Sequence, residues 1–408
     1  MIVGISEYEN IGETVGGDDA RALYERLSPI WGEDHIKLLV DDEASKANIE
    51  DAICNWLEPL EDEEDLVLFF FSGHGSWHWD NGNEYYLCPY DALADSDENN
   101  VSDRELDGLF CTLESQNMVV ILNACLSGGF VTQLSADGRV IMTSCMAGEL
   151  SWSTQILGHS SFSYYLLEAI DDLGSIDANG DYEISAKEIF DYVKPKVVAY
   201  TEAMLGSRSQ HPKMYDASEG KLGLFCQATF DTSPNVSSLT VDGTTYSTEE
   251  LPISFTWVSR SVHECQAAPA VPIDEGIQHT FTSWGDGNTT ASRTISQGGA
   301  YTANYTRQYC LAVESAYGTP VGEGWYDPGS TATMSVTSHS GAIVRHVFTG
   351  WSGDITATTP TATVLMDTPK AVTANWRTDY LYLCVLIAGI VVVAGGSSAF
   401  VIWKRRRT

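Results

Sequence analysis

Two short stretches hold residues whose types and spacing suit covalent chemistry. An apolar run, LVLFFF at 66–71, ends in Ser72-Gly73-His74-Gly75, and a second, MVVIL at 118–122, ends in Asn123-Ala124-Cys125-Leu126-Ser127-Gly128-Gly129. A thiol with an ordinary pKa near ~8.5 is mostly protonated at neutral pH, and a nearby imidazole with a pKa near ~6.5 activates it and can protonate a departing amine. The glycines on either side of His74 let a substrate backbone approach closely and allow unusual φ. The amides of Gly75 and Cys125 are candidates for an oxyanion hole. The chemistry these residues could carry together is nucleophilic acyl transfer without a cofactor, with Cys125 as nucleophile and His74 serving the leaving group; taken singly, His74 reads as a turn histidine and Cys125 as a buried core thiol.

Such residues work only if a scaffold brings them together. Residues 1–226 alternate short apolar runs with helical patterns. The expected strands are 2–5, 36–40, 66–71, 118–122, 139–144 and 222–225, and the expected helices lie near 17–29, 46–58, 103–115, 160–172 and 186–204. Near-continuous apolar strands between helices predict an α/β domain with a mostly parallel sheet covered on both faces. In such sheets ligands bind beyond the carboxyl ends of the strands, which is where His74 and Cys125 emerge. His78 and His159 fall near the same region without a defined role, and the acidic run 61–65 reads as a solvated loop.

A second constellation is DANGDYEISAKE, residues 177–188. Oxygen donors at positions 1, 3, 5, 7, 9 and 12 of a twelve-residue loop suit Ca²⁺. Here they are Asp177, Asn179, Asp181, Glu183 through its carbonyl, Ser185 and Glu188, with Ile184 at the apolar eighth position. Tyr182 stands where glycine normally makes the sharp turn, and a tyrosine resists positive φ. A structural or activating Ca²⁺ is therefore one expectation, and an acidic turn is the other.

Composition sets the outer limits. The 408 residues suggest two to four domains, 43% hydrophobic content allows a large core, and 19% charged content argues against global disorder. A net charge of −34 with a pI of about 4.3 repels phosphate backbones, so nucleic acid is excluded as a partner. Nine cysteines without a CxxC pair disfavour zinc and a dense disulfide framework, leaving at most one bridge, Cys265 with Cys310. Nothing in the pattern fixes an oligomeric state.

From residue 227 helical periodicity disappears and Thr, Ser, Gly and Val rise. VDG at 241–243 marks a hairpin turn. FTSWGDG at 281–287 is echoed by FTGWSGD at 348–354, and TANYTRQY at 302–309 by TANWRTDY at 373–380. Two all-β modules follow, 227–309 and 310–379. Their Trp and Tyr residues read as core, with carbohydrate contact as the other use. Residues 380–403 are 24 residues without a charge, enough to cross a hydrocarbon core of about 30 Å, and Lys404, Arg405, Arg406 and Arg407 follow. The positive-inside rule puts the 404–408 tail in the cytoplasm and the preceding domains outside a cell membrane crossed once. Sequons at Asn100, Asn235, Asn288 and Asn304 fit that topology. No signal peptide is visible at the start, so a missing upstream segment is expected.

The residues 1–226 resemble the clan of caspases, metacaspases and legumains. SGHG after one strand and NACLSGGF after the next carry the resemblance, and the 51-residue separation of His74 and Cys125 matches the caspase spacing. IVGISEYENIGETVGGDDARALYERL resembles the first strand, loop and helix of the family. YYLCPYDA, VSDRELDGLF, TSCMAGELSW, GHSSFSYYLLEAI and SQHPKMYD resemble later segments. The resemblance implies a cysteine endopeptidase with a His–Cys dyad. In metacaspases the pocket for the side chain before the cut, P1, uses positions that match Asp19, Ser72 and, in place of an aspartate, Asn123. Asp19, with Asp18 beside it, implies Arg or Lys at P1. The legumain pattern, to which Ser151 is similar, implies Asn or Asp. The FTxW and TANW pieces resemble B-repeat-like surface modules that serve as stalks or adhesive spacers. A cell-surface adhesion protein with an inactive caspase-like head is the alternative.

Overall fold

The computed structural model describes residues 1–78, 84–341, 344–380, 383–385 and 387–389. The chain divides into two compact units. The first takes Met1–Thr229, Ile253–His263 and Thr294–Ala300, and the second takes Phe230–Pro252, Glu264–Arg293 and the chain from Tyr301 onward.

In the first unit the order along the chain is β1 (Ile2–Gly4), α1 (Gly16–Trp31), β2 (Leu38–Val40), α2 (Lys46–Asp51), β3 (Leu66–Ser72), β4 (Gly75–His78), β5 (Glu84–Leu87), β6 (Val101–Ser102), α3 (Asp103–Phe110), β7 (Asn117–Asn123), α4 (Phe130–Leu134), β8 (Arg139–Thr143), α5 (Ser161–Asp171), α6 (Leu173–Ile176), β9 (Glu183–Ser185), α7 (Ala186–Leu205), β10 (Lys213–Asp216) and β11 (Gly223–Ser233). Six strands form the main sheet in the order β10-β8-β7-β3-β1-β2. Every pair is parallel except β10 with β8.

The near-continuous apolar runs are explained by burial on both faces. Leu68 and Phe70 of β3 pack with Ala20, Leu23 and Leu27 of α1 and with Phe162 and Leu166 of α5. Val67, Phe69 and Phe71 point the other way, onto Ile49, Ile53, Leu106, Phe110 and Phe130. Ser102 and Glu105 form a reciprocal capping box that starts α3.

Two expectations about elements need correction. The stretch 222–225 does not join the main sheet: β11 pairs antiparallel with β9, and Leu222, Leu224 and Phe225 enter the core with Ile189 and Phe190 of α7. The sheet edge is instead the partly polar β10, none of whose residues is fully buried, as suits an edge strand. The helix expected over 46–58 is α-helical only to Asp51 and then widens into a π turn over Ala52–Leu57.

In the second unit the sequence repeat is a structural repeat. Strand Ile277–Trp284 pairs antiparallel with Gly299–Ser315, and Arg345–Gly353 pairs in the same sense with Lys370–Asp379. Both pairs carry a bulge one residue past the phenylalanine, at Phe281/Ser283 and Phe348/Gly350. Trp284 lies opposite Ala303 as Trp351 lies opposite Ala374. Each buried indole donates its Nε1–H to a carbonyl of the following loop, Thr290 at 2.9 Å and Thr359 at 3.1 Å. The strand Gly299–Ser315 runs unbroken through positions 309 and 310.

All nine cysteines are free, so Cys265 and Cys310 are not bridged. Most of the apolar stretch 380–403 and all of 404–408 lie outside the described residues. Among the described residues no helix is long and apolar enough to cross a membrane.

Candidate active site

β3 and β7 are neighbours in register, with Ser72 opposite Asn123. Two residues beyond each lie His74 and Cys125, so the register brings residues 51 positions apart to the carboxyl ends of adjacent strands, where such sheets bind ligands. The Gly73 N–H donates to the Asn123 carbonyl at 3.2 Å and keeps the two chain ends together past the last ladder pair. A Cβ on Gly75 would stand 2.3 Å from the Cys125 carbonyl oxygen, so only glycine fits there. The backbones of Gly75 and Cys125 thus lie directly against each other. Leu126 follows the cysteine at φ +63°, a left-handed conformation costly for a leucine. It is held by its N–H donating to the Glu149 carbonyl at 2.8 Å.

His74 is fixed by the loop after β1. Its Nε2 lies 2.9 Å from the Gly12 carbonyl, which only accepts, so Nε2 carries a hydrogen and Nδ1 is left to take up or release a proton. The His74 backbone N–H donates to the Tyr8 hydroxyl at 2.7 Å, and that hydroxyl donates to the Cys88 carbonyl at 3.1 Å. The Tyr8 ring lies 5.0 Å from the imidazole. Burial pushes the Tyr8 phenol well above its ordinary range, so it stays protonated. Sequence reasoning missed Tyr8, and a single loop tyrosine carries no periodicity or motif that would reveal it.

The Cys125 thiol sits 3.8 Å from the Ser151 carbonyl, and burial pushes its pKa up, only partly opposed by backbone hydrogen bonds. The resting thiol is therefore protonated and depends on a base for activation.

Beneath this pair lies a polar cluster that gathers all four expected pocket residues. Asp19, on the first turn of α1, is completely buried, and Ser72 and Asn123 are nearly so. A Cβ on Gly16 would stand 2.1 Å from the Ser72 carbonyl, so a glycine there lets α1 begin directly against the end of β3 and carry Asp19 under it. Asp19 Oδ2 accepts from Ser72 Oγ at 2.9 Å, Asn123 Nδ2 at 3.0 Å and Ser160 Oγ at 2.8 Å. Its Oδ1 faces His159 Nδ1 at 2.9 Å and accepts from the Ser160 N–H at 3.3 Å. Ser151 Oγ donates to Asn123 Oδ1 at 2.9 Å. The amide at position 123 has a physical reason: an aspartate there would press a second carboxylate against Asp19. His159, Ser160 and the buried Gln210, which receives the Trp152 N–H and the Ser161 hydroxyl, were not expected in this cluster. His78 lies outside it and pairs with Asp97 at 2.9 Å.

The loop 177–188 has the backbone but not the convergence of a cation site. Tyr182 adopts φ +67° where a glycine was expected, and Ile184 is fully buried. Asp177, Asn179 and Asp181 turn their side-chain oxygens to the loop's own amides. Glu188 caps α7 through Ser185 and also receives the Ala178 N–H. Among the described residues no three acidic, cysteine or histidine groups gather as metal ligands. Hard oxygen donors are present, but the carboxylates are already engaged.

The family model of the caspase domain matches residues 1–222. No curated protein matches the chain.

Proposed function

The chain belongs to the caspase-domain family, and on that premise we propose that it is a cysteine endopeptidase acting through Cys125 and His74. The observation that carries this reading is the in-register pairing of β3 with β7, together with the contact of Gly75 against Cys125.

In the proposed mechanism His74 Nδ1 takes the thiol proton as Cys125 Sγ attacks the scissile carbonyl carbon. The amides of Gly75 and Cys125 stabilise the negative charge that develops on the carbonyl oxygen. The imidazolium then gives its proton to the departing amine nitrogen and the C–N bond breaks, leaving a thioester. Water attacks the thioester, His74 takes the water proton, and the carboxylate product leaves as the thiol is restored. Asp19, Ser72, Asn123 and Ser151 form the floor of the P1 pocket, for a basic side chain or for Asn or Asp.

The second unit acts as a stalk, and residues 380–403 anchor the chain once in a membrane with the peptidase outside. The exposure of Asn235 and Asn288 supports that topology, and glycosylation mapping at those two positions tests it. The Ca²⁺ expected at 177–188 finds no gathered set of acidic ligands among the described residues, and it has no part in the proposed chemistry.

The test is a fluorogenic peptide panel with Arg, Lys, Asn and Asp at P1, with and without Ca²⁺, on wild type and Cys125→Ala. Cleavage of at least one peptide, abolished by Cys125→Ala, is expected. If no peptide is cut and the variant matches wild type, the chain is a binding or adhesion protein with an inactive head.

A further inference from the structure

We infer that His159 is the residue that sets the charge of the P1 pocket and so decides which side chain the pocket accepts. The inference rests on the peptidase reading above and deepens it.

The starting point is Asp19, the acid that would recognise a cationic P1 side chain. It is fully buried, and five donors lie within reach of its two oxygens: His159 Nδ1, the Ser160 N–H and Oγ, Ser72 Oγ and Asn123 Nδ2. A carboxylate offers roughly four acceptor sites, so no lone pair remains for an ammonium or guanidinium. Four of the five donors are neutral at every accessible pH. The fifth, His159, titrates.

His159 is also the member of the set that meets solvent. Its side chain is 24% exposed, whereas Ser72 and Asn123 are each 2% exposed and Ser160 is 6% exposed. A substrate side chain entering the pocket therefore meets the imidazole before it meets the carboxylate. When the imidazole is protonated, the His159–Asp19 pair is neutral and both ring nitrogens are donors. Nε2 then carries a hydrogen that suits the carbonyl oxygen of an Asn side chain, while a cationic side chain finds neither an acceptor nor a net negative charge. When the imidazole is neutral, Nδ1–H still donates to Asp19, Nε2 becomes an acceptor, and the pair carries one negative charge. That state suits Arg or Lys.

The charged groups around the ring act in both directions. Asp19 and Asp18 of α1 hold the proton on His159, and Arg26, itself paired with Asp171 of α5 at 2.8 Å, opposes it. The hydrogen bond to Asp19 is the largest influence and raises the His159 pKa from its ordinary value. The changeover therefore falls on the alkaline side of an ordinary histidine.

The test measures the ratio of kcat/KM for Arg and Asn peptides between about pH 5.5 and about pH 8.5. Neither P1 side chain titrates in that range, and the ionisations of Cys125 and His74 cancel in the ratio. In wild type the Arg-to-Asn ratio should rise about tenfold with pH, the size of one unit charge acting over a few Å near a protein surface. In His159→Gln and His159→Ala the ratio should be flat and favour Arg throughout. A wild-type ratio that stays constant overturns the inference whether or not the variants fold. So do variants that keep the wild-type slope. These outcomes leave the peptidase reading intact. Absence of any cleavage that Cys125→Ala removes overturns that reading and this inference together.

Discussion

Tyr8 shows how much of the site depends on groups that do no chemistry. Its hydroxyl accepts the His74 N–H and donates to the Cys88 carbonyl, joining the loop after β1 to the histidine turn and to the end of β5. Tyr8→Phe keeps the ring contact and removes both hydrogen bonds. The expected result is a loss of about 1–3 kcal/mol in stability, read by denaturant unfolding, because a buried N–H loses its acceptor. kcat should fall about tenfold with little change in KM, since His74 moves while the pocket does not. His159 makes a second prediction at this scale. Its folded pKa is raised above the ordinary 6.5, mainly by the hydrogen bond to Asp19. The pair's stabilisation is therefore complete below the ordinary pKa and is lost as pH rises through the raised folded value. Wild type should lose stability across that window relative to His159→Gln, and parallel pH–stability curves for the two would refute it. The types and spacing of His74 and Cys125 were legible in the sequence. Tyr8 was not, because the contact it makes joins residues 66 positions apart.

Among the elements, β3 and β7 do the positioning. Their apolar runs were readable because a strand buried on both faces must be apolar at every position. The partner of each strand was a separate question, answered by the Ser72–Asn123 register. β10 escaped notice for the opposite reason: an edge strand tolerates Lys213 and Asp216, so its composition does not mark it. The turn between β3 and β4 allows a sharp test. Gly75→Ala would place a methyl 2.3 Å from the Cys125 carbonyl, a backbone atom that no rotamer change can move aside. Overpacking of this kind costs about 1–3 kcal/mol, and displacing the nucleophile by a fraction of an ångström should lower kcat about 100-fold. Activity close to wild type would show that this close contact is not needed for the reaction.

At the scale of the whole molecule the two units call for separate tests. Trp284 and Trp351 hold equivalent places in the two repeats, each buried, each beside a bulge and each bonded through Nε1 to the next loop. Trp284→Ala or Trp351→Ala should each cost the second unit about 3–5 kcal/mol, seen as an earlier thermal transition. kcat/KM of the peptidase should stay within about twofold, and a larger loss would mean that the second unit takes part in the reaction. The first unit is less separable than its motifs imply, because it includes Ile253–His263 and Thr294–Ala300. The Glu183 carboxylate accepts from Ser259 Oγ and from the Gly298 N–H, so both returning segments tie onto the loop that precedes α7. The sequence by itself determined the chemistry available, the α/β character of the leading domain and the existence of a repeat. Those follow from composition, period and local motif, which are properties of neighbouring positions. Only the tertiary structure decided that the buried Asp19 carboxylate is sealed by five donors, one of them a histidine 140 positions away, and that the chain returns twice to complete the first unit. Hydrogen-bond saturation of a buried carboxylate depends on which distant groups the fold brings within 3 Å or so, and that information is spread over the whole chain.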